Sequence, residues 1–506
     1  MHSTMKQFAA ILLALSLALA APAQTNLTAA ATNLNVRAMS LQDCLQEALA
    51  HNFDIQVQRL NPEIAHYNLR AAYGGYDPAL NFSGQHQFNV QPGGFTSQGI
   101  PYPPSTSRAD SFNSGINGTT PWGLQYGFTG NAGETTALGT PSLDRSSAGQ
   151  IEMSLTQPLL KDLWIDSTRL TIRLDKNLLK SAVQGLRLQM ITSITAVETA
   201  YYELVFALDN VGVEKEALNL AQTQLDQDNQ RVQIGTLAIL DVQQDEAQVA
   251  QSQANLIAAQ YTLVLDQNTL KNLLTDTNYL RWHDTDIQPT APLIAPPQSF
   301  DLQESWRRGM TERPDLLQAQ LTVENQGIQL KFDRNQIFPQ LNLIGTYGFN
   351  GAGGAFDTTF NQFNQGNAPF YSYGAQLSVP LSNIGARNTY KSAKVTLQQY
   401  LLQLKQLEQN VMVEIDNAVK EAQSDYQAVQ ASRQARIYAE AALDAEQKKY
   451  AVGKSTTFTV LQLQNNLTAA RSQEIRALAN YNEALATLAQ QEGSTLERNN
   501  INVQAK

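Results

Sequence analysis

The sequence predicts an α+β membrane protein with an internal tandem repeat, built from long helical hairpins and a few amphipathic strands. Three observations predict this fold class. A series of motifs occurs twice in the same order, long proline-free blocks have the apolar spacing of coiled coils, and short segments alternate apolar with polar residues.

The tandem repeat is the first of these features. Residues 41–45, LQDCL, return as LQESW at 302–306, and the turn VQIG at 232–235 returns as YAVG at 450–453. Because the order of matches is conserved within the chain, one structural unit has been duplicated. We expect a first repeat at 24–280, a proline-rich linker at 281–300, a second repeat at 301–492 and a polar tail at 493–506.

The N-terminus has the three-part layout of a secretory signal peptide. Lys6 precedes an apolar run from Phe8 to Ala20, and small residues stand ahead of Gln24, so we expect cleavage after Ala23. The run is too short to span about 30 Å of hydrocarbon, and no cysteine follows the expected cleavage site to carry a lipid. Beyond it, no apolar stretch of 18 residues predicts a transmembrane helix.

Charge and cysteine content narrow the possible partners. The chain has 45 acidic and 35 basic residues, a net charge of −10, which argues against nucleic acid as a partner. Its single cysteine, Cys44, cannot form an intramolecular disulfide and falls on the apolar side of a predicted helix. We therefore expect a packed thiol.

Two proline-free blocks, 159–288 and 381–506, predict long helices. Their apolar residues recur at steps of three and four, the seam that packs one helix lengthwise against another. A helix of about 65 residues would be roughly 100 Å long. Gly235 and Gly453 interrupt the blocks where a left-handed residue can end a helix, so we expect helical hairpins at 163–275 and 384–491.

Alternating segments predict strands at about 79–90 and 148–157 in the first repeat and at 340–350 and 371–380 in the second. Leu80, Phe82 and Phe88 share one face of the first strand, and Asn81 and Ser83 share the other. A strand of about ten residues with one apolar and one polar face is typical of an outer-membrane barrel. A strand half-buried in a soluble sandwich would alternate in the same way.

Four such strands cannot close a barrel, because known barrels begin at about eight strands, and open edges are not tolerated in lipid. The chain is therefore expected to oligomerise through its sheet edges, as a dimer, trimer or tetramer. An insert in the first repeat contains a further hairpin at about 109–131, which could join the barrel or stand outside it.

The combination of a signal peptide, a duplicated helix–strand–strand–helix unit and prolines at the helix–strand junctions resembles TolC-type outer-membrane efflux proteins. Those prolines are Pro78, Pro158, Pro339 and Pro380. The resemblance covers about residues 39–492. It implies a homotrimer in which a twelve-stranded transmembrane β-barrel continues into a long α-barrel of coiled-coil hairpins across the periplasm. The implied partners are a periplasmic adaptor protein, an inner-membrane transporter and outer-membrane lipid.

The resemblance also implies a periplasmic gate just past the glycine turns and no catalytic residues or cofactors. Asp241 matches one gate position and Tyr450 matches the gate tyrosine. Ser455 stands where the best-known pattern has an arginine that pairs with a neighbouring chain. Thr459 and Gln462 stand where it has two constricting aspartates. Ordinary coiled-coil packing would explain the same residues without a gate.

The two turns themselves resemble the tips that meet an adaptor's helical hairpin. The residues concerned are Ile234, Gly235 and Thr236 in the first repeat and Val452, Gly453 and Lys454 in the second. We expect these six residues to contact the adaptor.

An enzyme is not expected, because the five histidines are scattered without metal-binding spacing. The glycine-rich run 351–355 is expected to lead into a surface loop, not into the helix that a nucleotide-binding loop requires. A surface loop is also expected at 91–107. A secreted coiled-coil filament and a periplasmic adaptor remain as alternatives to a channel; an adaptor would have one helical hairpin rather than two in tandem.

Overall fold

The computed structural model describes residues 35–138, 144–274 and 285–501. The predicted signal peptide lies outside the described residues, as do the first four residues of the predicted linker and the last five of the chain.

The helices account for most of the described chain. In chain order they are α1 (Leu41–His51), α2 (Phe53–Tyr73), α3 (Ser167–Gln233), α4 (Ile239–Leu274), α5 (Leu302–Glu312), α6 (Pro314–Asn335), α7 (Phe356–Gln365), α8 (Ile384–Ala451), α9 (Thr457–Glu492) and the short α10 (Thr495–Arg498). The long helices α3 and α8 have 67 and 68 residues. Within the described residues, no helix is both long and apolar enough to cross a membrane.

The strands of the described residues form one large sheet and two small ones. They are β1 (Asn35–Met39), β2 (Ala79–Gln91), β3 (Gly94–Phe95), β4 (Pro101–Tyr102), β5 (Ser105–Thr119), β6 (Gln125–Leu138), β7 (Asp144–Pro158), β8 (Thr285–Pro289), β9 (Gln340–Gly353) and β10 (Pro369–Ser378). The large sheet has the order β10-β9-β7-β6-β5-β2 and is antiparallel throughout. The predicted α+β fold class, with long helical hairpins and at least four long strands, is confirmed.

The inserted hairpin of the first repeat lies inside the large sheet. Strand β5 pairs with β2 along its length: Ser105 lies opposite Gln91 at one end and Asn117 lies opposite Ala79 at the other. Strand β6 pairs with β7 over a similar length. The sheet therefore has six strands, the four expected from the repeat and the two of the inserted hairpin. The twelve-stranded barrel that the resemblance implies takes four strands from each chain, two fewer than this sheet contains.

The two faces of the sheet differ as the alternation predicted. On one face lie large apolar residues that remain exposed, among them Phe82 (75%), Phe128 (56%) and Tyr373 (85%). Their neighbours in sequence, including Asn81, Thr129 and Ser372, point to the opposite face, because successive residues of a strand alternate.

Helix α7 corrects the expectation of a surface loop after Gly351. It lies between β9 and β10 and packs on the apolar face, where the Thr359 hydroxyl donates a 2.8 Å hydrogen bond to Ser147 Oγ. Glycines make room for it: a Cβ on Gly351 would lie 2.6 Å from the Thr359 carbonyl oxygen and 2.9 Å from Phe363. The signal was Phe356, Phe360 and Phe363, at the four- and three-residue steps of an amphipathic helix.

The predicted linker and tail are more structured than expected. Strand β8, within the linker, pairs in parallel with β1. The start of the tail forms α10, whose Leu496 is buried in the same core as Tyr201 of α3. The expected packed thiol, Cys44, lies in this core and is fully buried. Apolar burial thus draws both connecting segments onto the helices.

The helices that adjoin the sheet are arranged side by side. Helix α2 contacts α3, α3 contacts α6, and α6 contacts α8. Each of these four helices is next to a strand along the chain, α2 to β2, α3 to β7, α6 to β9 and α8 to β10, whereas β5 and β6 are joined by a short turn. Farther from the sheet, α4, α3, α9 and α8 are neighbours in that order.

Candidate functional site

The candidate site lies at the end of the helices farthest from the sheet, where both hairpins turn. Gly235 and Gly453 each have a φ of 76°, the left-handed conformation that glycine adopts without a steric penalty. The amide of Thr236 donates to the Arg231 carbonyl and that of Lys454 to the Lys449 carbonyl, both at 2.9 Å. These bonds satisfy the last free carbonyls of α3 and α8 and fix two equivalent turns.

The turns expose apolar side chains. Ile234 is 74% exposed and Val452 68%, and Phe458 beside the second turn is 63% exposed. The six residues expected to contact an adaptor therefore lie at the two tips, on a surface with apolar groups open to a partner.

Just inside the tips, the buried carboxylate of Asp228 links the two hairpins. It accepts hydrogen bonds from the Tyr450 hydroxyl at 2.7 Å, from Gln224 Nε2 at 2.8 Å and from the Thr457 hydroxyl at 3.3 Å. Gln224 shares α3 with it, whereas Tyr450 belongs to α8 and Thr457 to α9. All four side chains are buried, and Asp228 completely so. Because buried hydrogen bonds to a charged acceptor are strong, this cluster holds the second hairpin to the first.

Arg231 closes the cluster from the outside. Its guanidinium lies 3.6 Å from the Asp228 carboxylate and 4.3 Å from the centre of the Tyr450 ring. The cation thus balances the buried charge and stacks on the aromatic face at the same time.

A second carboxyl group, Asp245 of α4, is also completely buried. No donor in the described part of the chain reaches either of its oxygens. Burial, followed by the nearby Asp228 and Asp241 carboxylates, raises the pKa of Asp245 to about 7. The tip therefore contains a group that changes charge near neutral pH.

A pair of amides joins α4 to α9 a little farther from the turns. Gln248 Nε2 donates to Asn465 Oδ1 at 2.8 Å, and Asn465 Nδ2 donates back to Gln248 Oε1 at 3.0 Å. Both residues line a groove of about 510 Å³ together with Gln462 and Phe458. The groove is open, so these side chains are accessible from outside the hairpins.

The structure brings only some of the predicted gate residues together. Tyr450 is in the cluster, but its hydroxyl bonds to Asp228 and Thr457, while Asp241 lies one helical turn from Asp245. Ser455 donates to Glu446 of its own chain at 2.6 Å. Thr459 donates through its amide to the Thr456 hydroxyl at the start of α9, and Gln462 is exposed in the groove.

Sequence reasoning missed Asp228, Asp245 and Thr457. Gln224, Asp228 and Arg231 follow each other at steps of four and three, so they occupy one face of α3. These polar residues recur at the spacing of the apolar seam, and this was the signal in the sequence that they face a neighbouring helix. They do not identify their partners, which come from another hairpin.

The hydrogen bonds from Tyr450 and Thr457 to Asp228 hold the two hairpins together. Among the described residues, no set of His, Cys, Asp and Glu side chains could hold a metal ion.

Comparison with known proteins gives two kinds of similarity. The family model for outer membrane efflux proteins matches residues 44–275 and 310–494. The outer membrane protein TolC of Escherichia coli K12 is 26% identical over 318 residues, 60% of this chain and 62% of its own. TolC of Salmonella enteritidis is 25% identical over 294 residues, 57% of this chain and 58% of its own. The chain thus aligns with less than two thirds of the length of these two relatives.

Solved structures of outer-membrane channels share the fold. The Campylobacter jejuni CmeC channel has a TM-score of 0.65 at 16% identity, with 90% of this chain and 86% of that chain covered. The open-state MtrE channel of Neisseria gonorrhoeae has a TM-score of 0.64 at 16% identity, with 90% and 89% covered. At this level of identity the likeness concerns the fold alone.

Proposed function

The chain belongs to the outer membrane efflux protein family and is an outer-membrane protein with a periplasmic extension, and from this we propose that it is the exit channel of an efflux or secretion system. Three copies would form a tube, with the sheets in the outer membrane and the helical hairpins in the periplasm. The observation that carries this proposal is the exposed apolar face of the sheet, backed by a polar face, at one end of hairpins about 100 Å long.

The exposed apolar residues of the sheet support the proposal that this face contacts lipid. Tyr373, Phe82 and Leu377 are more than 60% exposed and have no cover from the described part of the chain. In water such a broad apolar surface would be unfavourable, whereas hydrocarbon solvates it. Outer-membrane lipid is therefore the proposed partner of this face.

We propose that the buried cluster at the tips is the gate. In the closed state, Tyr450 and Thr457 would hold the second hairpin to Asp228 of the first. Opening would separate the hairpins and expose these groups to water. Asp241, Ser455, Thr459 and Gln462 surround the same tips and are proposed as peripheral gate residues.

A periplasmic adaptor protein, itself attached to an inner-membrane transporter, is proposed to bind the turns. Ile234 and Val452 would be its apolar contacts, and Thr236 and Lys454 its polar ones. Glycine at positions 235 and 453 would preserve the tight turn that presents them.

Fractionation tests the proposal directly. A channel would be extracted by detergent from outer membranes as a trimer and would conduct ions in a planar bilayer. Recovery from the soluble periplasm, or membranes that stay insulating even when the gate residues are substituted, would contradict it.

A further inference from the structure

We propose that three copies close a single eighteen-stranded barrel, in which β2 of one copy pairs with β10 of the next and the β5–β6 hairpin is part of the wall. This inference rests on the proposed function, because it presupposes assembly in the outer membrane. It concerns what each copy contributes: six strands instead of the four expected from the repeat.

The two edges of the sheet are suited to each other. Strand β2 leads away from α2 and the helices, and β10 leads back to α8, so the two edge strands run in opposite directions. A ring of copies joined edge to edge is then antiparallel at every junction, as bacterial barrels are. Six strands are too few for one copy to close alone, and open edges are not tolerated in lipid.

The β5–β6 hairpin has the properties of barrel wall. It pairs along its length with both neighbouring strands, β2 and β7. Its apolar residues continue the exposed apolar face: Phe112 and Ile116 of β5 are 46% and 42% exposed, and Phe128 of β6 is 56% exposed. Its other face carries Asn113, Asn117, Thr129 and Asn131, in register with the polar residues of β2 and β7.

The two outermost helices of the row beside the sheet, α2 and α8, lie next to the two edge strands, β2 and β10. Helix α2 adjoins β2 and has an exposed apolar stripe at steps of four and three, consisting of Phe53, Val57, Leu60, Ile64 and Tyr67, each more than half exposed. Helix α8 adjoins β10 and exposes Val395 and Leu402, seven residues apart, at 64% and 68%. Both stripes have the spacing of helix-to-helix seams, so the same junction would bury apolar surface in the helical part.

At a strand tilt of about 40°, the width of six strands matches the width of the four helices. Four helices side by side, at 8–10 Å each, occupy about 36 Å of perimeter per chain. Six strands spaced about 4.8 Å apart and tilted by about 40° occupy about 38 Å, whereas four would occupy about 25 Å. A sheet of six strands therefore continues the helical tube without narrowing at this tilt.

The consequence is a wide passage through the outer membrane. Barrel diameter grows roughly linearly with strand number, and barrels of about 16–18 strands enclose an aqueous channel. The polar face of the six strands would line it. The narrowest point, and the main resistance to flow, would then lie at the periplasmic tips.

The test is to count strands and strand pairs in the assembled protein. Electron cryo-microscopy of the detergent-purified trimer should show eighteen strands in the barrel. In parallel, cysteine pairs report the pairing in native membranes, and the buried Cys44 can remain in every variant because burial raises its pKa to about 12.

Two pairs should form disulfides on mild oxidation, Ser83→Cys with Asn113→Cys and Asn131→Cys with Gln150→Cys, since their residues are direct cross-strand partners. The matched control is Ser83→Cys with Gln150→Cys. Two strands separate its positions, a distance of about 14 Å that a disulfide cannot bridge. Mass spectrometry of the linked peptides measures each yield.

A trimer with twelve strands in its barrel, or a control pair that cross-links as well as the other two, would overturn this inference and leave the proposed channel intact. A protein that forms no membrane trimer would overturn the proposed function and this inference with it.

Discussion

Tyr450 illustrates how one hydroxyl group can hold a helical hairpin in place. It donates to the fully buried Asp228 carboxylate from a different hairpin, so its removal leaves a buried charge with one donor fewer. A hydrogen bond to a charged group contributes about 1.5–3 kcal/mol. This energy is available to hold the tips closed.

We predict that Tyr450→Phe makes open events in planar-bilayer recordings at least about tenfold more frequent, since 1.4 kcal/mol corresponds to a factor of ten. Tyr438→Phe is the matched control, because Tyr438 lies on the same helix and is 69% exposed. Equal recordings from both variants would show that the cluster does not limit conduction.

Asp245 makes the same tips sensitive to pH. Its pKa in the closed tip is about 7, above the ordinary value near 3.9, so the closed tip binds a proton more tightly than an open, solvated one. The closed state is therefore most stable below about pH 4. It is weakened as pH rises towards 7 and changes little above that.

We predict that conductance of the unmodified channel rises between pH 5 and pH 7.5 and that Asp245→Asn removes most of this rise. The amide keeps the shape of the protonated acid and cannot ionise. Asp226→Asn, at an exposed position of α3, should retain the pH dependence. An Asp245→Asn channel that follows the unmodified pH profile would exclude Asp245 as the titrating group.

Among the elements, α7 depends on glycines of the strand beneath it. Gly351 lies under Thr359 and Phe363, so a methyl group there would meet the helix. Gly345 lies on the same strand and the same face, and a Cβ at that position would have no atom within 4 Å. Comparing substitutions at the two positions therefore separates the effect of a clash with α7 from the general effect of replacing a glycine in a strand.

We predict that Gly351→Ala displaces α7 and makes residues 354–368 at least several-fold more sensitive to added protease, while Gly345→Ala does not. The measurement is limited proteolysis of the membrane-embedded protein, with cleavage sites identified by mass spectrometry. Protection equal to that of the unmodified protein would mean that the strand can yield to the added methyl group.

For the whole molecule, the polar face of the sheet determines what a passing solute would meet. In the described strands, its charged residues are Glu152, midway along β7, and Asp144 at the start of that strand. Amides and hydroxyls make up most of the rest. Three copies would place a ring of Glu152 carboxylates within an otherwise nearly uncharged passage.

We predict that the assembled channel prefers cations weakly and that Glu152→Gln reduces this preference by at least about half, because a ring of like charges raises the local concentration of counter-ions. Reversal potentials in a salt gradient measure it. Glu134→Gln alters a carboxylate on the opposite face, which is paired with Arg145, and should leave the preference unchanged. A Glu152→Gln channel with the original reversal potential would place the selective charge elsewhere.

The sequence by itself determined the duplication, the long helices, the glycine turns and the alternation of the strands. These features depend on residues near each other in the chain, where helical and strand periodicities are 3.6 and 2 residues. The turns at Gly235 and Gly453 and the position of Tyr450 belong to this group.

Only the tertiary structure decided which strands pair and which distant side chains meet. The pairing of β5 and β6 with β2 and β7 raised the strand count to six, because register joins segments whose separation in sequence carries no periodic signal. Likewise Asp228 meets Tyr450, since the relative rotation and stagger of two hairpins select which polar residue faces the hydroxyl. Local patterns specify which elements form; the packing between distant elements specifies which side chains meet.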